Sequence, residues 1–233
     1  VVFDTSAPQE DLFVVAAAGG EVRPLTNDLA KDRSPSWSPD GSRILFYSNR
    51  SGKFEVWAIR PDGRGLEQLT DSRGGHVFNP LWSPDGSKIA CFLGDSGEAV
   101  IDLSRPLAAR VPEALPPFDF SATSWSSQGR LAGQGGNELV LYSFARRAYE
   151  RLGVSGQDAS WLRDGRRLLF LQQGRVVELD SGTREIREIA APAPNSSYAH
   201  LSVSRDGHGL FLVRAVEEGD VWLLTVSSTS ANF

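Results

Sequence analysis

Trp-Ser-Pro-Asp-Gly occurs twice in this chain, at Trp37–Gly41 and Trp82–Gly86, and in both places an apolar run begins three residues after the glycine. A recurring turn of this kind says that the chain is one supersecondary unit written several times. The fullest copy is Ser34–Thr70. It reads as four short strands, Ser34–Ser38, Ile44–Ser48, Phe54–Arg60 and Leu66–Thr70. Between them lie Pro39-Asp40-Gly41, Asn49–Gly52 and Pro61-Asp62-Gly63. Proline presets the backbone for a turn, aspartate bonds the amide ahead, and glycine accepts positive φ. Strands this short, each ended by turn chemistry, predict an up-and-down antiparallel sheet.

One such sheet leaves both faces uncovered, so it needs neighbours of its own kind. They are present. Further starts occur at Phe78, Ser121, Asp158 and His200, with Trp82, Trp125, Trp161 and Val203 in the tryptophan place and Gly86, Gly129, Gly165 and Gly207 closing the turn. The opening segment Val1–Thr26 matches Ile44–Thr70 and lacks the first strand. The period of roughly 40 residues is that of a propeller blade.

The phrase WSPDGSRILFYSNRSG…EVWAIRPDG…QLT resembles the WD40-like (PD40) repeat of the TolB type. The resemblance runs from Asp11 to Val226 and is sharpest in the second and third units. It implies an all-β fold: a six-bladed β-propeller of four-stranded antiparallel blades, one domain over residues 1–233. The blades are expected near 1–26, 34–70, 78–117, 118–153, 157–189 and 199–226. The proline-rich stretch from Pro106 to Pro117 is expected to be irregular or an edge strand, since proline cannot donate to a ladder. Closure of the ring is expected from Ser227–Phe233 or from a segment upstream of Val1.

Composition narrows the function. A formal net charge of −5 with arginines scattered over turns and strand edges gives no basic footprint for nucleic acid. No apolar run reaches membrane-spanning length. Cys91 is the single cysteine and sits in the apolar run Ile89–Leu93, which predicts a buried, inert thiol. Methionine is absent and the chain enters mid-unit, so a processed protein or a piece of a longer one is expected.

Catalysis finds no constellation. Groups repeated from blade to blade point in different directions and cannot converge on one substrate. Asp40, Asp85, Asp164 and Asp206 are therefore read as turn formers, and Trp37, Trp82, Trp125 and Trp161 as packing between blades. His76, His200 and His208 are the histidines, and no Gly-x-Ser-x-Gly elbow accompanies them. Local histidine or cysteine spacing for zinc is missing as well.

Recognition is expected instead where the repeat changes at equivalent places. Aligned on the tryptophan, one such position carries Ser34, Asn79, Ala122, Asp158 and His200. With the neighbouring Asp32, Arg33, His76, Asp119, Gln157 and Tyr198 these residues form the expected binding set at the mouth of a central channel. No cofactor is expected; a cation such as calcium would require the carboxylates of Asp32, Asp119 and Asp158 to converge. The expected function is non-catalytic binding of a protein or peptide. The alternative is an accessory or gating propeller of a larger hydrolase or kinase, fused to another domain. The TolB resemblance implies a periplasmic or extracytoplasmic location.

Overall fold

The computed structural model describes the chain except residues 6–8, 73–74, 205–206, 217–220 and 228–233; at residues 95, 216 and 221–227 it describes the backbone alone. The chain divides into two compact units, Val1–Pro117 and Phe118–Phe233.

The first unit holds three antiparallel sheets. One is β1 (Val2–Asp4), β2 (Leu12–Val14) and β3 (Arg23–Pro24). The next is β4 (Asp32–Trp37), β5 (Ile44–Ser48), β6 (Glu55–Ile59) and β7 (Glu67–Gln68). The third is β8 (Val77–Trp82), β9 (Lys88–Leu93), β10 (Gly97–Asp102) and β11 (Glu113–Ala114), so the proline-rich stretch supplies a two-residue edge strand after a short 3-10 turn at Leu107–Ala109.

The second unit repeats the plan. Its sheets are β12 (Ser121–Trp125), β13 (Arg130–Gly135), β14 (Glu138–Ser143) and β15 (Ala148–Ser155); then β16 (Gln157–Trp161), β17 (Arg167–Gln172), β18 (Arg175–Asp180) and β19 (Ile186–Ala190); then β20 (Ser196–Val203), β21 (Gly209–Val216) and β22 (Val221–Ser227). Strand order follows chain order in every sheet, as hairpin connections dictate.

The expectation of six four-stranded blades needs correction. Among the described residues the blades number five rather than six, and they have three or four strands. The first has three because residues 1–26 contain no Trp-Ser-Pro-Asp-Gly start and so no first strand. Among the described residues the last sheet also has three strands, and the side chains of β22 are undescribed. The closing role expected of Ser227–Phe233 falls on residues that, after Ser227, lie outside the described ones.

Middle strands such as β5 and β17 are buried on both sides. Along β5, Ile44 and Phe46 pack toward the first sheet with Leu12, Val14 and Leu25, whereas Leu45 packs toward the third with Val77, Ile89 and Cys91. In the second unit Leu168 and Phe170 of β17 join Ala132, Leu139 and Leu141, while Leu169 and Leu171 join Tyr198, Leu201 and Leu212. Successive strand residues point to opposite faces, so continuous apolar runs fill two interfaces at once. Burying each such side chain stabilises by about 1.5–3 kcal/mol relative to exposure.

Candidate functional site

The first strand of each full-length start departs from its ladder. Irregularities fall between Arg33 and Ser36, Phe78 and Leu81, Ala122 and Ser124, Gln157 and Ser160, and Tyr198 and His200. At three of them the residue that varies between repeats is left-handed: Ser34 (φ 51°), Asn79 (φ 47°) and Asp158 (φ 54°). Asparagine and aspartate tolerate this region better than most residues. A bulge bends the strand and re-aims a side chain, and bulges are common beside functional sites.

In the first unit the bulges of adjacent sheets meet. Ser34 Oγ donates to Asn79 Oδ1 at 3.4 Å, and the Ser34 amide donates to Asp4 Oδ2 at 3.5 Å. Arg33 forks onto Glu10: Nη2 donates to Oε1 at 2.9 Å and Nε donates to Oε2. That pairing raises the arginine pKa above its ordinary value, and the Arg33 hydrogen bond lowers that of Glu10. The guanidinium carbon lies 5.5 Å from the Phe54 ring centre. Phe54, Phe78, Tyr47 and the exposed His76 form one aromatic group, with ring centres 5.5–5.8 Å apart. His76 Nδ1 accepts from the Phe54 amide at 3.1 Å, which leaves the ring proton on Nε2 when the imidazole is neutral. Asp32 is fully buried beneath this face and receives Arg50 Nη2 at 2.7 and 2.8 Å.

In the second unit the corresponding contact pairs an imidazole with a carboxylate. His200 Nδ1 lies 3.0 Å from Asp158 Oδ2, and the histidine side chain is 74% exposed. Gln157 and Asp119 are exposed. Tyr198 is 6% exposed and belongs to the core; its amide donates to the Gly174 carbonyl at 3.0 Å and its hydroxyl to the Ala191 carbonyl at 3.3 Å. Of the aspartates considered for calcium, Asp32 faces Arg50 and Asp158 faces His200. Among the described residues no group of three or more histidine, cysteine, aspartate or glutamate side chains is placed to hold a metal ion.

The shared motif residues are occupied in turns. Ser38 Oγ donates to Asp40 Oδ1 at 2.6 Å and accepts from the Arg43 amide at 2.9 Å, while the Ser42 amide donates to Asp40 at 3.0 Å. Ser83, Asp85, Ser87 and Lys88 reproduce this set at 2.6, 3.0 and 2.9 Å. These bonds favour the ionised form, and the Ser83 hydroxyl leads in bringing Asp85 down to about 2. Asp164 accepts from the Arg166 and Arg167 amides at 2.8 and 2.9 Å. Asp206 lies outside the described residues. The tryptophans differ among themselves. Trp161 is 7% exposed in the core, Trp82 packs on the core shared by the second and third sheets, Trp125 stacks on Phe144 at 5.0 Å, and Trp37 is 39% exposed. The packing expected of Trp37 is therefore incomplete.

Sequence reasoning passed over the buried acids that open the third-strand segments. Asp11 receives the Thr26 hydroxyl at 3.2 Å, and Glu55 receives the Thr70 hydroxyl, the Ser72 amide at 2.8 Å and Lys53 Nζ at 3.1 Å. The signal was there: an acid precedes the apolar run at Asp11, Glu55, Glu98 and Glu138. Glu10 and Arg50 carried no repeat signal of that kind.

Residues 1–110 match the family model described as the TolB beta propeller domain. Among curated proteins, an uncharacterized protein of Agrobacterium fabrum is 36% identical over 68 residues, which is 29% of this chain and 23% of that protein. A Tol-Pal system protein TolB of Anaeromyxobacter dehalogenans is 48% identical over 55 residues, 24% of this chain and 13% of that protein. The matched segments thus span under a quarter of these relatives. A solved structure of a candidate TolB from Agrobacterium tumefaciens superposes with a TM-score of 0.72 at 15% identity, covering 89% of this chain and 80% of that one. Identity that low speaks for fold alone. Residues 1–110 are thus similar to the TolB beta propeller domain, and the chain has the β-propeller fold of the structures it resembles.

Proposed function

We propose that this chain is a non-catalytic binding module that captures a segment of another protein on the bulged first strands of its sheets. The observation that carries the reading is the meeting of repeat-changing residues across adjacent sheets, Ser34 with Asn79 and Asp158 with His200. Arg33, Ser34, His76 and Asn79 are the contact residues in the first unit; Asp119, Gln157, Asp158 and His200 are those in the second. Asp32 and Tyr198 hold the same strands from beneath. The mechanism is rigid display. Packed sheets hold the varied side chains in place, so little ordering entropy is lost on binding. Arginine and aromatic side chains are frequent anchors at such surfaces. The module is proposed to serve as one domain over residues 1–233, as part of a larger protein. Likeness to proteins of the Tol-Pal system supports an extracytoplasmic setting.

The test is photocrosslinking in the native host, with the reactive group at position 79 or 200. Capture of a partner protein from position 79 that is lost in Ser34→Gly, and from position 200 that is lost in Asp158→Gly, in chains of unchanged melting temperature, supports the reading. Unchanged capture in both variants sinks it.

A further inference from the structure

His76 is exposed, yet its ring is held in one orientation. The Phe54 amide donates to Nδ1 at 3.1 Å, and the Phe54 carbonyl accepts from the Val77 amide at 2.9 Å. The His76 carbonyl accepts from the Gly94 amide at 3.1 Å. These bonds gather the approach to β6, the start of β8 and the end of β9 around one residue. The half-buried rings of Phe54 and Phe78 lie against the imidazole, with ring centres 5.7 and 5.8 Å from its own. A side chain fixed this way loses little ordering entropy when something binds it.

The same bonds set what the residue displays. A neutral imidazole whose Nδ1 accepts a backbone amide carries its proton on Nε2, so the second nitrogen is a donor. Among the described residues nothing accepts from it. Asn79, next after Phe78 on β8, has the same polarity. Its Oδ1 accepts from Ser34 Oγ at 3.4 Å, which leaves Nδ2 and its two hydrogens for a ligand.

The charges around this face are already matched. Arg33 and Lys31 pair with Glu10, at 2.9 and 3.4 Å, and Lys53 pairs with Glu55 and Asp71, at 3.1 and 3.6 Å. Asp4, which accepts from the Ser34 amide, has no cation beside it among the described residues. An anionic ligand would thus find no unpaired cation and one uncompensated carboxylate. A cationic ligand would face the two donors.

We infer that this part of the surface takes an uncharged, extended segment of a partner protein. Main-chain carbonyls of the segment accept from His76 Nε2 and Asn79 Nδ2, and an aliphatic or aromatic side chain beside them lies on Phe54 and Phe78. The inference rests on the capture proposed for these bulges and adds the chemistry of the captured segment. It makes His76 and Asn79 the residues that select an acceptor over a donor.

The probe is a phage-displayed library of random dodecapeptides, selected on the intact chain, with enriched peptides then measured by calorimetry. Enriched peptides are expected to be uncharged and to carry an aliphatic or aromatic residue. His76→Asn keeps an acceptor for the Phe54 amide and withdraws the Nε2 donor. It should bind these peptides about tenfold more weakly at an unchanged melting temperature. Asn79→Asp turns the second donor into an acceptor. Its backbone is tolerated, because Asp158 holds the same place in its repeat at a φ of 54°. This variant should also bind the parent's peptides more weakly, and should itself select peptides bearing lysine or arginine. If His76→Asn lowers the melting temperature, the Asn79→Asp measurement decides alone. Peptides that bind the parent and both variants equally overturn the inference and leave the capture reading standing. A library without binders overturns both. An acidic consensus overturns the inference, because the ligand would then be a carboxylate. So does a chain that dimerises with loss of peptide binding, because the occupant would then be a second copy.

Discussion

Arg50 Nη2 sits 2.7 and 2.8 Å from the two carboxylate oxygens of Asp32, a side chain with no solvent exposure at all. The same guanidinium reaches Asp28 at 3.1 Å and lies 5.6 and 5.4 Å from the rings of Phe46 and Trp57. The pair ties the turn after β5 to the start of β4, where the bulge begins. Removing one partner of a buried pair leaves the other charge uncompensated. Arg50→Ala is therefore expected to lower unfolding free energy by about 3–5 kcal/mol in urea titration. Asp32→Asn, which keeps the shape and removes the charge, should also destabilise, because the buried guanidinium then loses its counter-ion. A change under about 0.5 kcal/mol in both would show that the pair holds nothing.

The turn carboxylates predict a specific acid dependence. Asp85 is brought down to about 2 by the Ser83 hydroxyl first, then by the amide and hydroxyl of Ser87, and Asp40 moves the same way under Ser38 and Ser42. A carboxylate depressed on folding contributes stability that is fully present above its unfolded value near 4. That contribution is lost as pH falls through the folded value. Asp85→Asn should lower the melting temperature at pH 7, and the gap to the parent chain should close as pH falls from about 4 toward 2. A gap that widens on acidification would contradict the assignment.

Cys91 has no solvent exposure, and burial is the leading cause that pushes its thiol well above the ordinary range, with Glu98 and Glu55 adding to it. The thiolate is the reactive form. Alkylation by iodoacetamide at pH 8 should be negligible in the native chain and rapid in denaturant. Labelling under native conditions at the rate of a free thiol would place Cys91 outside the core.

Gly133 tests how closely the first two strands of its sheet approach. A Cβ at this position would lie 2.0 Å from the Ser121 carbonyl oxygen, and backbone cannot swing aside as a side-chain tip can. Gly133→Ala should cost about 1–3 kcal/mol or more, read as a lower melting temperature. Gly136, where an added Cβ meets nothing within 4 Å but φ is +65°, should lose only the smaller cost of a left-handed backbone on changing to alanine.

Asp158 separates conformation from chemistry at the bulge. Its φ of 54° suits glycine, so Asp158→Gly should keep the fold while losing the His200 contact. Asp158→Val imposes a β-branched side chain on the left-handed region and should destabilise by about 1–3 kcal/mol more than the glycine variant. Equal melting temperatures for the two would remove backbone strain from the account.

Much of the strand pattern was legible in the residues, and particular elements show where legibility stopped. The Pro-Asp-Gly and Asn–Gly turns fall between strands as read, because their bonds join residues two to five apart. Tyr198 read as a recognition anchor and lies in the core. A bulge inserts one residue, and a shift of one residue exchanges the two faces of a strand, so alternation cannot say which neighbour is buried. Arg50 read as a turn residue; its role depends on a carboxylate 18 positions away.

By itself the sequence determined the repeated unit, its turns and the apolar strands, since each is set by contacts inside some 40 residues. Tertiary structure alone decided which charges pair and which tryptophans are covered. Those outcomes depend on what the adjacent sheet presents. Trp37 and Trp161 occupy the same place in the repeat, yet one is 39% and the other 7% exposed, and the Arg130 guanidinium lies 4.5 Å over the Trp161 ring.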